Sequence, residues 1–101
     1  MVYFFCLGIQ KMSIRDKFCS TYTAYEDHAH SYVKVPLAEL RKLGLEDNIS
    51  PCSYKQGRFA YLEEDCDWST FEKARAKVGP PFVVKVTNVV DNTKIKSYSP
   101  Y

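Results

Sequence analysis

A small α+β domain is what these 101 residues predict, and three observations predict it: alternating β-branched and aromatic runs, two apolar stripes at helical spacing, and turn residues at short intervals between them. Hydrophobic residues make up 46% of a chain long enough for one core and too short for two independent ones. The expected architecture is one antiparallel or mixed sheet of about four to five strands with two helices on one face, in the order β-α-ββ-α-ββ.

Residues 13–26 are polar with scattered aromatics (Phe18, Tyr22, Tyr25) and no sustained period, which reads as a loop or lightly ordered arm. Residues 1–27 are therefore taken as an N-terminal extension and residues 28–101 as the α+β domain. "HSYVKVP" alternates and is β-branched, a strand ended by Pro36. Pro36 opens the helix "PLAELRKLGL", with Leu37, Leu40 and Leu43 on one face, Gly44 as its left-handed stop and Leu45 folding back on Leu40. "ISPCSYKQGRFAYLEE" reads as a hairpin turned at Gly57. Asp67 precedes Trp68, Phe71, Ala74 and Val78, an amphipathic stripe with Asp67 as its N-cap and Gly79-Pro80-Pro81 as its end. Trp68, Phe71 and Val78 are assigned to the core. "FVVKVTNVV" and "TKIKSYSPY", about the turn "DN", read as a second hairpin.

A net charge of +2 with 26% charged residues forces neither a nucleic-acid nor a membrane partner, so charge has to be read locally. Cys6, Cys19, Cys52 and Cys66 form no C-x-x-C pair and no zinc-finger rhythm, and reduced thiols in the cytoplasm are the expectation. The opening "MVYFFCLGIQK" has no basic stretch before it and falls far below the ~20 residues that span a bilayer, so neither secretion nor a membrane anchor is read. Residues 1–11 are either an extension from an upstream start, with Met12 as the ordinary one, or a strand that pairs with the sheet or with a second copy to give a homodimer. No cofactor motif and no catalytic motif is found: G-x-S-x-G, H-E-x-x-H and a phosphate loop are all absent from the sequence.

Three candidate sites remain. The first is the acidic stretch "YLEEDCDW". A helix start needs only Asp65 and Asp67, and the surplus makes Glu63, Glu64, Asp65 and Asp67 with Tyr61 a candidate partner-binding rim. The second is the basic tail, where Lys85, Lys94, Lys96 and Tyr98 combine phosphate-binding and stacking chemistry for single-stranded nucleic acid; the same lysines would also protect a sheet edge. The third, a metal site of His28, His30 and Asp65, has suitable ligand types without a spacing that ties them together. Cys66 gains from a helix N-terminus and loses from Asp65 and Asp67, so it is a weak nucleophile.

"HSYVKVPLAELRKLGLEDNIS", "SYKQGRFAYLEEDCDWSTFEKA" and "TKIKSY" together resemble a family of small uncharacterised proteins of phages, plasmids and bacterial genomes, with "YLEEDCD" as the most specific stretch. The resemblance runs from about His30 to Tyr98 and departs from the family pattern at Ser31, Tyr32 and Asn48. It implies a mobile-element setting and no particular activity. In that setting the expected function is a non-enzymatic binding protein in the host cytoplasm, acting on a host or anti-phage-defence protein through the acidic rim. The alternatives are a nucleic-acid-binding module and a small metal-binding protein.

Overall fold

The computed structural model describes residues 18–101 of the chain. Its strands are β1 (Thr21–Glu26), β2 (Ser31–Pro36), β3 (Tyr54–Gln56), β4 (Phe59–Glu63), β5 (Val83–Asn88) and β6 (Ser99–Pro100). The helices are α1 (Leu37–Lys42), α2 (Ser69–Arg75) and the single turn α3 (Thr93–Lys96), with a π-helical turn at Glu64–Trp68 leading into α2. One mixed sheet has the order β5-β1-β2-β4-β3-β6. β1 and β5 are parallel and every other pair is antiparallel. The residues of the apolar opening, 2–9, and Met12 lie outside the described part.

The α+β class holds, with differences of detail. Residues 21–26 form a strand in the sheet rather than an arm, because Tyr22 and Ala24 alternate into the core while the strand pairs with β2, which follows it, and with the distant β5. The expected C-terminal hairpin is absent. β5 pairs in parallel with β1, and "TKIK" coils into α3, started where Asp91 Oδ1 accepts the Thr93 amide at 3.0 Å. Four residues of alternation are too few to separate a strand from one helical turn.

Turn chemistry behaves as expected. At the end of α1, Leu45 N–H donates to Leu40 O at 2.8 Å and Gly44 N–H to Arg41 O at 3.0 Å, the two bonds of a Schellman ending, with Gly44 at φ +69°. Gly57 at φ +61° lets a two-residue loop join β3 to β4, with Gln56 opposite Phe59.

The two faces of the sheet are covered differently. On the first, Tyr22, Ala24, Val33, Val35, Ala60 and Leu62 pack under Leu40 of α1 and under Trp68 and Phe71. This core has a polar seam. Arg75, 1% exposed, donates from Nε to Tyr22 Oη (2.9 Å) and from its terminal nitrogens to the carbonyls of Val78 (2.6 Å) and Cys19 (3.0 Å). Tyr22 in turn donates to Glu39 Oε1 at 2.5 Å, so a buried cation and a buried carboxylate share one hydroxyl. Burial and the Glu39 bond both raise the Tyr22 pKa, keeping that hydroxyl a donor. The second face holds Tyr32 and Tyr61 beneath Ile95 of α3, with Tyr25, Tyr54, Phe59 and Tyr98 around them. The two expected helices, α1 and α2, thus share the first face, and the additional turn α3 covers the second.

Candidate functional site

Strand alternation decides what the second face presents. Val84 of β5 packs against the first core, so Val83, Lys85 and Thr87 point the other way. The register then lines up one row across the sheet. Lys85 lies opposite Thr23, Thr23 opposite Lys34, Lys34 opposite Tyr61, and Tyr61 opposite Tyr54. The row behind it carries Thr87, Tyr25, Tyr32 and Glu63.

Over these rows α3 and the segment around it wall a cleft of about 440 Å³, lined by Tyr25, Lys34 and Tyr61 from the sheet and by Lys94, Ile95 and Tyr98 from the covering segment. Its aromatic walls pack against one another at a tilt. Tyr61 and Tyr98 have ring centroids 5.1 Å apart, and Tyr61 and Tyr25 6.5 Å. Lys34 lines the cleft, and its Nζ sits 4.1 Å from the centroid of Phe59 beside it. Burial pushes the pKa of the Tyr61 hydroxyl up to about 12, so this ring is uncharged near neutral pH. The Asp91 carboxylate is engaged by Thr93 at the start of α3, and its pKa is lowered by those bonds. Asn92, 3% exposed, ties the covering segment down: its amide donates to Asp27 Oδ2 (3.0 Å) and its side chain to Tyr25 O (3.2 Å). Asp27 also accepts the amides of His30 (2.7 Å) and Ala29 (2.8 Å), which hold its carboxyl below the usual range.

The residues singled out in the sequence are dispersed and regrouped. Of the acidic rim, only Glu64 and Asp65 are exposed. Asp67 is buried and caps no helix; its carboxylate accepts from Ser50 N (3.0 Å), Ser50 Oγ (2.8 Å) and Ser53 Oγ (2.5 Å), anchoring the loop before β3. Glu63 is buried on the second face, opposite Tyr32. Tyr61 belongs to the cleft instead of a rim.

In the basic set, Lys94 and Tyr98 line the cleft and Lys85 stands at the far end of the cross-sheet row. Lys96 lies outside the cleft wall, beside Asp27 and Asp91. His28 is exposed in the β1–β2 turn and His30 stacks on Tyr32 at 6.2 Å. Among the described residues no group of three or more His, Cys, Asp or Glu side chains is placed to hold a metal ion. Lys34 and Tyr25 were missed as site residues. The signal for Lys34 was present, since the alternation of "YVKVP" sets it on the face of Tyr32 and away from Val33 and Val35.

Comparison with protein-family models, with curated proteins and with solved structures finds no match for this chain.

Proposed function

We propose that the protein is a small non-enzymatic binding protein that takes single-stranded nucleic acid on the second face of its sheet. The observation that carries the reading is the row Lys85, Thr23, Lys34, Tyr61 running into a cleft completed by Lys94 and Tyr98. Lysines at intervals along an aromatic surface suit phosphates and bases, respectively, and stacking accepts any base. In this reading a base lies against the half-buried rings of Tyr25 and Tyr98, which pack on the buried Tyr61, while the backbone tracks from Lys94 past Lys34 towards Lys85. The test is fluorescence anisotropy with a labelled single-stranded oligonucleotide across a salt series. Binding that weakens with salt is the expected outcome, and the double variant Lys34→Ala/Lys94→Ala flattens the log–log slope by about 0.7 per lysine. No binding at low salt, or binding indifferent to both lysines, rejects the reading.

A second reading takes a host or defence protein as the partner, in the mobile-element setting that the family resemblance implies. It is favoured by Val83, Val86 and Val90, which are 60%, 56% and 92% exposed on and beyond β5, the outermost described strand on its side of the sheet. An extended segment of a partner could add to that edge, with Glu64 and Asp65 available for basic residues elsewhere on it. Capture of one host protein that survives nuclease and is lost in Val83→Lys/Val86→Lys supports this reading; capture unchanged by that variant removes the edge from it.

A further inference from the structure

We infer that a second cleft, between α1 and the β3–β4 hairpin, binds a small apolar carboxylate, an acid group carried on an alkyl or aryl body, with Arg41 and Arg58 holding the charge. The cleft measures about 560 Å³, within the size range of small-molecule sites, and shares no lining residue with the cleft proposed for nucleic acid. Local geometry builds it. Pro36 pairs with Phe59 where β2 runs into α1, and the Leu37 amide donates to Arg58 O at 2.8 Å, so the start of the helix is fastened to the turn of the hairpin. Leu37, Ala38, Phe59 and Cys19 line the gap with mostly apolar surface. Arg41 comes three positions after Ala38 and four after Leu37, on the same side of the helix, and Arg58 belongs to the two-residue loop of the hairpin. Both arginines are exposed, and both line the cleft.

Charge decides the kind of occupant. Among the described residues neither guanidinium has an ion pair or a hydrogen bond, although Arg41 also borders a hollow that carries Glu46 and Asp47. Arg75, by contrast, has three hydrogen-bond partners inside the first core. No acidic side chain lines the cleft among the described residues. The buried Glu39 carboxylate spends its two oxygens on the Tyr22 hydroxyl and the Cys19 amide. Burial, with Glu39 beside it, pushes the Cys19 thiol up to about 11, so that wall is neutral near neutral pH. Two cations without a counter-ion beside an apolar wall suit a ligand with one anionic end, and the guanidinium fork matches a carboxylate. A neutral ligand would leave the arginines unused, and an inorganic anion would leave the apolar wall uncovered.

The test is titration of the full chain with decanoate, with decanol as its uncharged counterpart, read by the rate at which iodoacetamide alkylates Cys19 in peptide mass spectrometry. Bound decanoate is expected to slow Cys19 alkylation while the exposed Cys52 and Cys66 react at their original rates. Decanol on the native chain, and decanoate on Arg41→Gln/Arg58→Gln, are expected to bind about tenfold more weakly, the loss of a charge-assisted contact. The arginine variant keeps the native melting temperature, since both side chains are exposed. Ala38→Trp fills the cleft and removes the protection, with circular dichroism as the check that it folds; the arginine variant stays decisive if it does not. Equal affinity for decanoate and decanol, or decanoate binding unchanged in the arginine variant, overturns the assignment of the charge. An unchanged Cys19 rate at millimolar decanoate overturns the site, whether the cleft stays empty or is already covered by residues 2–9. Weaker oligonucleotide binding in the arginine variant, with decanoate binding intact, would give both arginines to nucleic acid and overturn the proposal as well.

Discussion

The two faces of the sheet solve burial in opposite ways. The first is filled from β1, β2 and β4 by the Tyr22 ring and by small and aliphatic side chains and closed by two helices; its polar groups, Glu39, the Tyr22 hydroxyl and Arg75, satisfy one another inside the core. The second is built from tyrosines and lysines and closed over part of its width by a single helical turn, which leaves a cleft. Tyrosine explains the contrast. Its ring can be buried like a core residue while its hydroxyl stays near solvent, so a face made of it is at once stabilising and able to bind. The first face thus carries the larger core, and the second the proposed binding surface.

That division is broken most sharply by truncation in the first core. Phe71→Ala removes a fully buried ring and is expected to cost ~3–5 kcal/mol, as is Trp68→Ala, in a denaturant titration. Arg75→Ala is expected to cost a similar ~3–5 kcal/mol, because it leaves the Tyr22 hydroxyl, two carbonyls and the buried Glu39 carboxylate without their cation. A loss below about 1 kcal/mol for Arg75→Ala would mean that water replaces the guanidinium and that the polar seam is dispensable.

On the second face the effects exchange places. Tyr98 is half-buried, so Tyr98→Ala should lower stability by only about 1–2 kcal/mol, yet weaken oligonucleotide binding by ~1–3 kcal/mol, the worth of one stacked base. A stability loss equal to that of Phe71→Ala would erase the distinction between the faces.

Titration sharpens it further. Burial raises Tyr32 and Tyr61 from the ordinary 10 to about 12, so the folded state favours their neutral forms. The stability from this source is fully present below pH 10 and is lost as the pH rises from 10 towards 12. Tyrosinate absorbance should show these two hydroxyls ionising late, and ionisation at pH 10 would place them in solvent.

Local chemistry was legible in the residues and long-range pairing was not. The stop at Gly44 and Leu45 and the hairpin at Gly57 depend on a few neighbouring residues, and the structure has both. Residues 21–26 look polar on their own, since they become a strand only when β2 and the distant β5 supply their hydrogen bonds. Asp67 makes the same point within the candidate site. As a neighbour of Trp68 it is a plausible helix cap, but the hydroxyls of Ser50 and Ser53 take its carboxylate and draw it inside, which splits the acidic rim. The cleft combines Tyr61, Lys94 and Tyr98 from two separately read motifs, a grouping that exists only once α3 folds over the sheet.

The most direct test of the central claim is a titration of isotopically labelled protein with a short single-stranded oligonucleotide, followed by amide and side-chain chemical shifts. The account predicts perturbations concentrated at Tyr25, Lys34, Tyr61, Lys85, Lys94 and Tyr98, with Leu40, Phe71 and the Glu64–Asp65 surface unmoved. Shifts centred on Glu64 and Asp65, or no shifts at low salt, would contradict it.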